Sequence, residues 1–336
     1  MAKKDEITPK YIPFIKWVGG KRAIADRILG LAGINTKEPV TPLNVYIEPF
    51  LGGGAMFFHL KNVGLIGPNT KVFLSDMNKS LINTYKVIQD DDDCEKLIKE
   101  LKQHEENHGP DSSWPRKEIE KKRRDAIVKN KRKPKESDHA YYYYVRDIYN
   151  KIHKQSELSN KQKIKLAAAF IYLNRTGFNG MYRENADGEM NIPRGRYINP
   201  AIVNEGVLRS ASDALKDTNI EVGDYHESTK WVGDGTLIYF DPPYYDTFTD
   251  YNGGGFGKEQ HDKLAELAKN AAYLGAKVII SNSDNEITRE LYNKYSEFGL
   301  EFQIIEAARN INSDGQGRSK VKEIVVFNNH ESLRKK

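Results

Sequence analysis

Leu43-Asn-Val-Tyr-Ile-Glu-Pro-Phe-Leu-Gly-Gly-Gly-Ala-Met-Phe-Phe-His-Leu60 reads as a strand, a glycine turn and the opening of a helix. Residues 43–48 are mostly apolar, with β-branched and aromatic side chains, the pattern of a strand buried on both faces. Residues 56–60 are apolar enough to pack a helix against it. Working outward, comparable short runs recur at 71–75, 236–240, 277–281 and 321–327. Helical stretches separate the later ones, at 258–274 and 285–295. Strands alternating with helices predict an α/β fold, doubly wound around a mostly parallel sheet.

The alternation stops near residue 81 and resumes after 204. Between them, residues 164–173 are apolar all round and predict a buried helix. Tyr141 to Tyr144 open another, and residues 90–134 are expected to be extended or mobile. The middle third is therefore expected to be a separate helical insertion, with 1–80 and 205–336 forming one domain and 81–204 the other.

The chain has 336 residues and 38.4 kDa, enough for a sizeable core. Cys94 is the only cysteine, which excludes an internal disulfide and a multi-cysteine metal site and suits a reducing compartment. The sequence carries neither the apolar core of a secretory signal nor a run of ~18 apolar residues. A cytoplasmic protein without membrane insertion is expected. The net charge of +5 is unevenly spread. Residues 116–135 hold eleven lysines and arginines against three acids, whereas 90–106 hold eight acids against three lysines. The basic block suits either a solvated surface or contact with phosphates.

Three motifs carry chemistry. Glu48-Pro-Phe-Leu-Gly-Gly-Gly-Ala55 puts glycines between strand and helix, where a ligand can approach the backbone and meet free N–H groups. It lacks the lysine and hydroxyl of a phosphate-binding loop, and by itself fits several nucleotide-like ligands. Asp76 closes the next strand, where a carboxylate can hold ribose hydroxyls or cap the following helix. Asp241-Pro-Pro-Tyr244 follows the run 236–240. An aromatic exocyclic amine is a poor nucleophile because its lone pair is delocalised into the ring. It needs acceptors for its protons and a surface that holds it in line. The Asp241 carboxylate and Pro242 carbonyl supply the first, and the Tyr244 ring the second. Prolines lack an N–H, so they fix the turn and leave the carbonyl free.

With these motifs in place, the chain resembles the Dam-type, or D12, class of adenine-N6 DNA methyltransferases, in the alpha arrangement of blocks. The matching blocks are Lys16-Trp-Val-Gly-Gly-Lys21, Glu48 to Gly54, Ser75-Asp-Met-Asn78, Asn174-Arg-Thr-Gly-Phe-Asn-Gly-Met-Tyr-Arg183 with Asn191-Ile-Pro-Arg-Gly-Arg-Tyr197, and Asp241 to Tyr244. Similarity extends to Ser281-Asn282 and to 309–323. The resemblance implies a Rossmann-like methyltransferase domain with an inserted target-recognition domain. It implies S-adenosylmethionine as methyl donor; no metal is expected to be required, and no covalent intermediate is expected because no cysteine sits near Asp241 to Tyr244. Trp17, Lys21, Glu48, Phe50, Gly52, Asp76 and Asp241 are the implied cofactor contacts, and Asp241, Pro242 and Tyr244 the implied catalytic set.

The resemblance further implies that a flipped adenine in double-stranded DNA is the substrate. Phe178 and Asn179 would lie near the site of flipping, and Met181 and Arg183 would read base edges. Pro193, Arg196 and Tyr197 would add DNA contacts, and Lys16 would touch an outer guanine. A GAT-containing site such as GATC is the expected target. The expected working state is a monomer, standing alone or paired with a restriction endonuclease for the same site. A long basic stretch at 116–135 departs from compact members. The loop 245–257, with Gly253, Gly254 and Gly255, is expected to close over the base. Two other functions fit the residues: a methyltransferase acting on RNA or a protein amide, and a DNA-binding regulator that has lost catalysis.

Overall fold

The computed structural model describes residues 10–37, 39–108, 140–195, 197, 200–244, 256–308 and 320–328. The basic stretch 116–135, Arg196, most of the loop 245–257 and residues 309–319 lie outside them. The chain divides into two compact units, Met1–Pro13 with Gly19–Ile82 and Ala214–Lys336, and Phe14–Val18 with Asn83–Asp213. Among the described residues no helix is long and apolar enough to cross a membrane.

In the first unit, seven strands form one sheet: β1 (Val45–Glu48), β2 (Lys71–Asp76), β3 (Thr218–Val222), β4 (Thr236–Phe240), β5 (Lys277–Ser283), β6 (Leu300–Ala308) and β7 (Lys320–Asn328). Their order is β3-β2-β1-β4-β5-β7-β6. The first five pair in parallel, with Ile47 opposite Phe73 and Ile238, and β7 runs antiparallel to both β5 and β6. Every residue of β4 is buried, as a central parallel strand requires. The unit also holds α1 (Ala25–Leu31) and α2 (Ala55–Asn62), and α3 (Lys79–Gln89) leads out of it.

The second unit contains α4 (Asp91–His108), α5 (Ala140–His153) and α6 (Asn160–Thr176), and α7 (Glu205–Leu215) leads back to the sheet. There α8 (Lys258–Tyr273) packs Leu264, Ala265, Ala268, Ala271 and Ala272 onto Ile238, Phe240, Val278 and Ile280. Alanines on that face let helix and sheet approach closely, and each buried methylene adds about 0.8 kcal/mol. The short α9 (Glu286–Asn293) starts at Asn285, whose side chain accepts from the Thr288 N–H.

The structure corrects the sequence reading in two places. Residues 91–108 form a helix rather than an extended segment, because Cys94, Leu97, Ile98 and Leu101 bury one face. Two strands, β3 and β6, are additional to the five expected. The expected α6 is buried along nearly its whole length from Ile164.

Candidate functional site

In an open α/β sheet, ligands bind beyond the carboxyl ends of the strands where the winding direction reverses. Here the reversal falls between β1, which leads outward to β2, and β4, which leads the other way to β5. Glu48 ends β1 and Asp241 follows β4, so the glycine turn and the Asp-Pro-Pro-Tyr tetrapeptide open from adjacent strand ends. Gly52 and Gly54 hold positive φ, 48° and 67°, a region in which glycine pays no Cβ penalty. Gly54 is also the N-cap of α2. Asp76 ties the turn down, since its Oδ2 accepts from the Gly52 N–H at 3.0 Å and its Oδ1 from the Asn78 N–H at 2.9 Å. Burial pushes the Asp76 carboxyl up, and those two bonds offset part of the shift.

Lys21, 2% exposed, reaches the tetrapeptide. Its Nζ donates to the Gly19 carbonyl at 2.7 Å and to Asp241 Oδ1 and Oδ2 at 2.8 and 3.1 Å. Burial alone would lower the ammonium's pKa. Asp241, with Tyr244 and Glu323, reverses that and holds it above the ordinary lysine value. The Asp241 carboxyl is pushed up by burial and drawn back by Lys21. Its side chain nevertheless remains 21% exposed. The Tyr244 hydroxyl donates to Glu323 Oε1 at 2.9 Å, and its ring centroid lies 5.0 Å from Lys21 Nζ. Pro242 is buried.

Glu48 is fully buried and accepts through Oε2 from the Tyr46 hydroxyl at 2.7 Å and the Phe57 N–H at 3.1 Å. Phe50 joins an aromatic cluster, stacked on Tyr225 at 5.4 Å and edge-on to Phe256 at 5.5 Å.

The helical unit gathers another group. Asn174 pairs with both main-chain groups of Lys16, accepting from its N–H at 2.8 Å and donating to its carbonyl at 2.7 Å, and also donates to Gly180 O at 2.8 Å. Lys16 Nζ sits 3.9 Å from the Tyr197 ring centroid. Phe178 is 41% exposed despite its apolar ring. Its N–H donates to Pro193 O, and Asn179 adopts a left-handed conformation at φ 54°. Arg183 is exposed with Nε bonded to Asn191 Oδ1 at 2.8 Å. Met181 is half-buried and Pro193 exposed. Trp17 stacks on Tyr182 and lies 6.5 Å from Phe170.

The D12 class N6 adenine-specific DNA methyltransferase family model matches residues 17–114 and 116–311, most of the chain. The chain belongs to the D12 class of adenine-N6 DNA methyltransferases. Among curated relatives, a type II methyltransferase, M.MjaIII, of Methanocaldococcus jannaschii is 34% identical, covering 94% of this chain and 98% of its own. The type II methyltransferase M1.LlaDCHI of Lactococcus lactis is 32% identical over 98% of each chain. A DNA adenine methylase of Escherichia coli is 28% identical over 94% of each. The chain is thus an adenine-specific DNA methyltransferase with a mixed α/β, Rossmann-like fold.

Within this D12 chain the structure brings Lys21, Asp241 and Tyr244 into one cluster and Gly52 and Asp76 into another, all in the sheet unit. Trp17 and Lys16 fall elsewhere. Sequence reading placed residues 1–80 with the sheet, whereas Phe14–Val18 groups with the helical unit. The reasons are the Asn174 clamp on Lys16, the Arg175 bond to Phe14 O at 2.6 Å, and the packing of Phe14 on Tyr85. One residue of the cluster, at the end of the similar block 309–323, was given no role from the sequence. Glu323 is a buried acid in an otherwise apolar strand, and that anomaly within 321–327 was the signal for it.

Proposed function

We propose that this methyltransferase transfers a methyl group from S-adenosylmethionine to N6 of an adenine turned out of duplex DNA. The observation that carries the reading is Asp241, ion-paired with buried Lys21 yet partly exposed, at the strand end beside the glycine turn. The residues present suit the cofactor: a positive-φ glycine turn admits close approach to the backbone, and the Asp76 oxygens have lone pairs left for ribose hydroxyls. Bound there, S-adenosylmethionine supplies an electrophilic methyl on a sulfonium. Everything else falls to the chain. Asp241 accepts one amine N–H, and the Pro242 carbonyl accepts the other. The Tyr244 ring stacks on the base and fixes its plane. As positive charge builds on the amine, Asp241 stabilises it and takes up the proton that must leave, while Lys21 draws the carboxyl's pKa back down against its burial. The helical unit is the target-recognition domain in this reading, with Lys16, Phe178, Asn179, Met181, Arg183, Pro193 and Tyr197 on the DNA. Matches at Lys16, Met181 and Arg183 make GATC the first site to test, and the type II names of two relatives make a cognate endonuclease the partner to seek.

The test is incubation of the protein with S-adenosylmethionine and unmethylated genomic DNA, followed by single-molecule sequencing for N6-methyladenine. Methylation confined to one short motif, and lost in Asp241→Ala with DNA binding retained, is the expected result. Wild-type turnover by Asp241→Ala would remove the proposed mechanism. Activity on RNA or a peptide amide instead of duplex DNA would replace the substrate.

A further inference from the structure

Glu323 stands 79 residues from Tyr244 in sequence, on β7, yet its carboxylate meets the tetrapeptide. In register it lies opposite Ser283 of β5 and Ile305 of β6, followed by the buried run Ile324, Val325 and Val326. A carboxylate here is costly. It is 6% exposed, and burial pushes its pKa up against the pull of Lys21. An apolar side chain would fill the strand position at less cost, so the acid has to be accounted for by what it touches. Oε1 accepts from the Tyr244 hydroxyl at 2.9 Å, and Oε2 faces Lys21 Nζ at 3.8 Å with no hydrogen-bond partner among the described residues. One ammonium thus stands between Asp241 and Glu323, while Tyr244 meets Glu323 through its hydroxyl and Lys21 through its ring.

The geometry explains why such an anchor is needed. Pro242 and Pro243 offer no N–H, so the chain leaving β4 cannot extend the strand ladder, and the bond from the Tyr244 hydroxyl to Glu323 restrains the side-chain torsions of the ring beside its contact with Lys21. A hydroxyl bonded to a buried carboxylate is charge-assisted and roughly twice as strong as a neutral bond. We propose that Glu323 is a positioning residue for methyl transfer: through the Tyr244 hydroxyl it fixes the plane of the stacking ring, and through Lys21 it steadies the Asp241 carboxylate. The inference rests on the reading of Tyr244 and Asp241 given above.

A double-mutant cycle on the full-length protein tests it, with Tyr244→Phe, Glu323→Ala, the combination, and Glu323→Gln. Single-site duplex turnover is measured beside the fluorescence of a duplex carrying 2-aminopurine at the target adenine, which reports stacking of the extruded base. Removing the hydroxyl or the carboxylate should lower kcat about tenfold with KM within about twofold. The double variant should be no slower than Glu323→Ala, since one bond is lost only once. Glu323→Gln keeps an acceptor for the hydroxyl and should recover part of the rate, and both single variants should brighten the probe. Additive losses, or unchanged kcat and fluorescence in Tyr244→Phe, would overturn the proposal. Tyr244→Phe loses a single oxygen, so it reads the same bond even if Glu323→Ala fails to fold. A wild-type protein inactive on adenine in duplex DNA would instead defeat the functional reading itself.

Discussion

Glu48 has its carboxyl sealed between Tyr46 and the start of α2, and burial pushes it up to about 8, with Asp241 adding to the rise and the bonds from Tyr46 and Phe57 opposing it. The folded state therefore binds this proton more tightly than the unfolded chain does. Its stabilising contribution is complete below pH 4.5 and is lost as pH rises through about 8, at up to about 1.4 kcal/mol per pH unit in between. Glu48→Gln mimics the protonated acid: it still accepts from Tyr46 and Phe57, but nothing titrates. Melting temperatures from pH 5 to 8.5 should fall for the wild type and change less for the variant, with several degrees between them at the alkaline end. Parallel curves would mean that another group carries the pH dependence.

At the scale of elements, legibility followed burial. The strands β1, β2, β4 and β5 were readable because a parallel strand in the middle of a covered sheet is a continuous apolar run, and antiparallel β7 because successive residues Ile324, Val325, Val326 and Phe327 are all buried. The edge strand β3 was not, since Thr218-Asn-Ile-Glu-Val222 buries only alternate residues at its start and exposes its last two. The acids Asp91, Asp92 and Asp93 hid α4, although they favour a helix N-terminus through its dipole. In the site, the tetrapeptide was legible as chemistry, but the grouping of Lys16 and Trp17 with the helical unit depends on long-range contacts that no local pattern carries. The segment 177–183 shows the consequence. Gly180 sits at φ +63° with Lys16 pressed against it, so an added Cβ would meet Lys16 Cβ and Cδ at 2.8 Å. Gly180→Ala should cost about 1–2 kcal/mol from the left-handed conformation alone, and it should displace Lys16 as well. Thermal unfolding and duplex titrations check both effects. A stability loss with DNA affinity unchanged on every sequence would separate Lys16 from recognition.

For the whole molecule, charge is what distinguishes finding DNA from reading it. Residues 116–135 hold eleven basic residues against three acids, whereas the side chains proposed to read bases, Lys16, Met181 and Arg183, lie outside that block. Phosphate contacts release counterions and act on every sequence alike, lowering log affinity with log salt by about 0.9 per phosphate neutralised. Contacts to base edges act on one site only. Replacing six of the basic residues of 116–135 by glutamine should therefore weaken cognate and scrambled duplexes by the same factor and shallow both salt slopes. The methylated motif should not change. Fluorescence anisotropy across a salt series, with sequencing of the methylated product, measures the three quantities together. Unaltered slopes would identify the block as a solvated surface, and a changed motif would place some of its arginines or lysines on base edges, beyond the phosphate role argued for them.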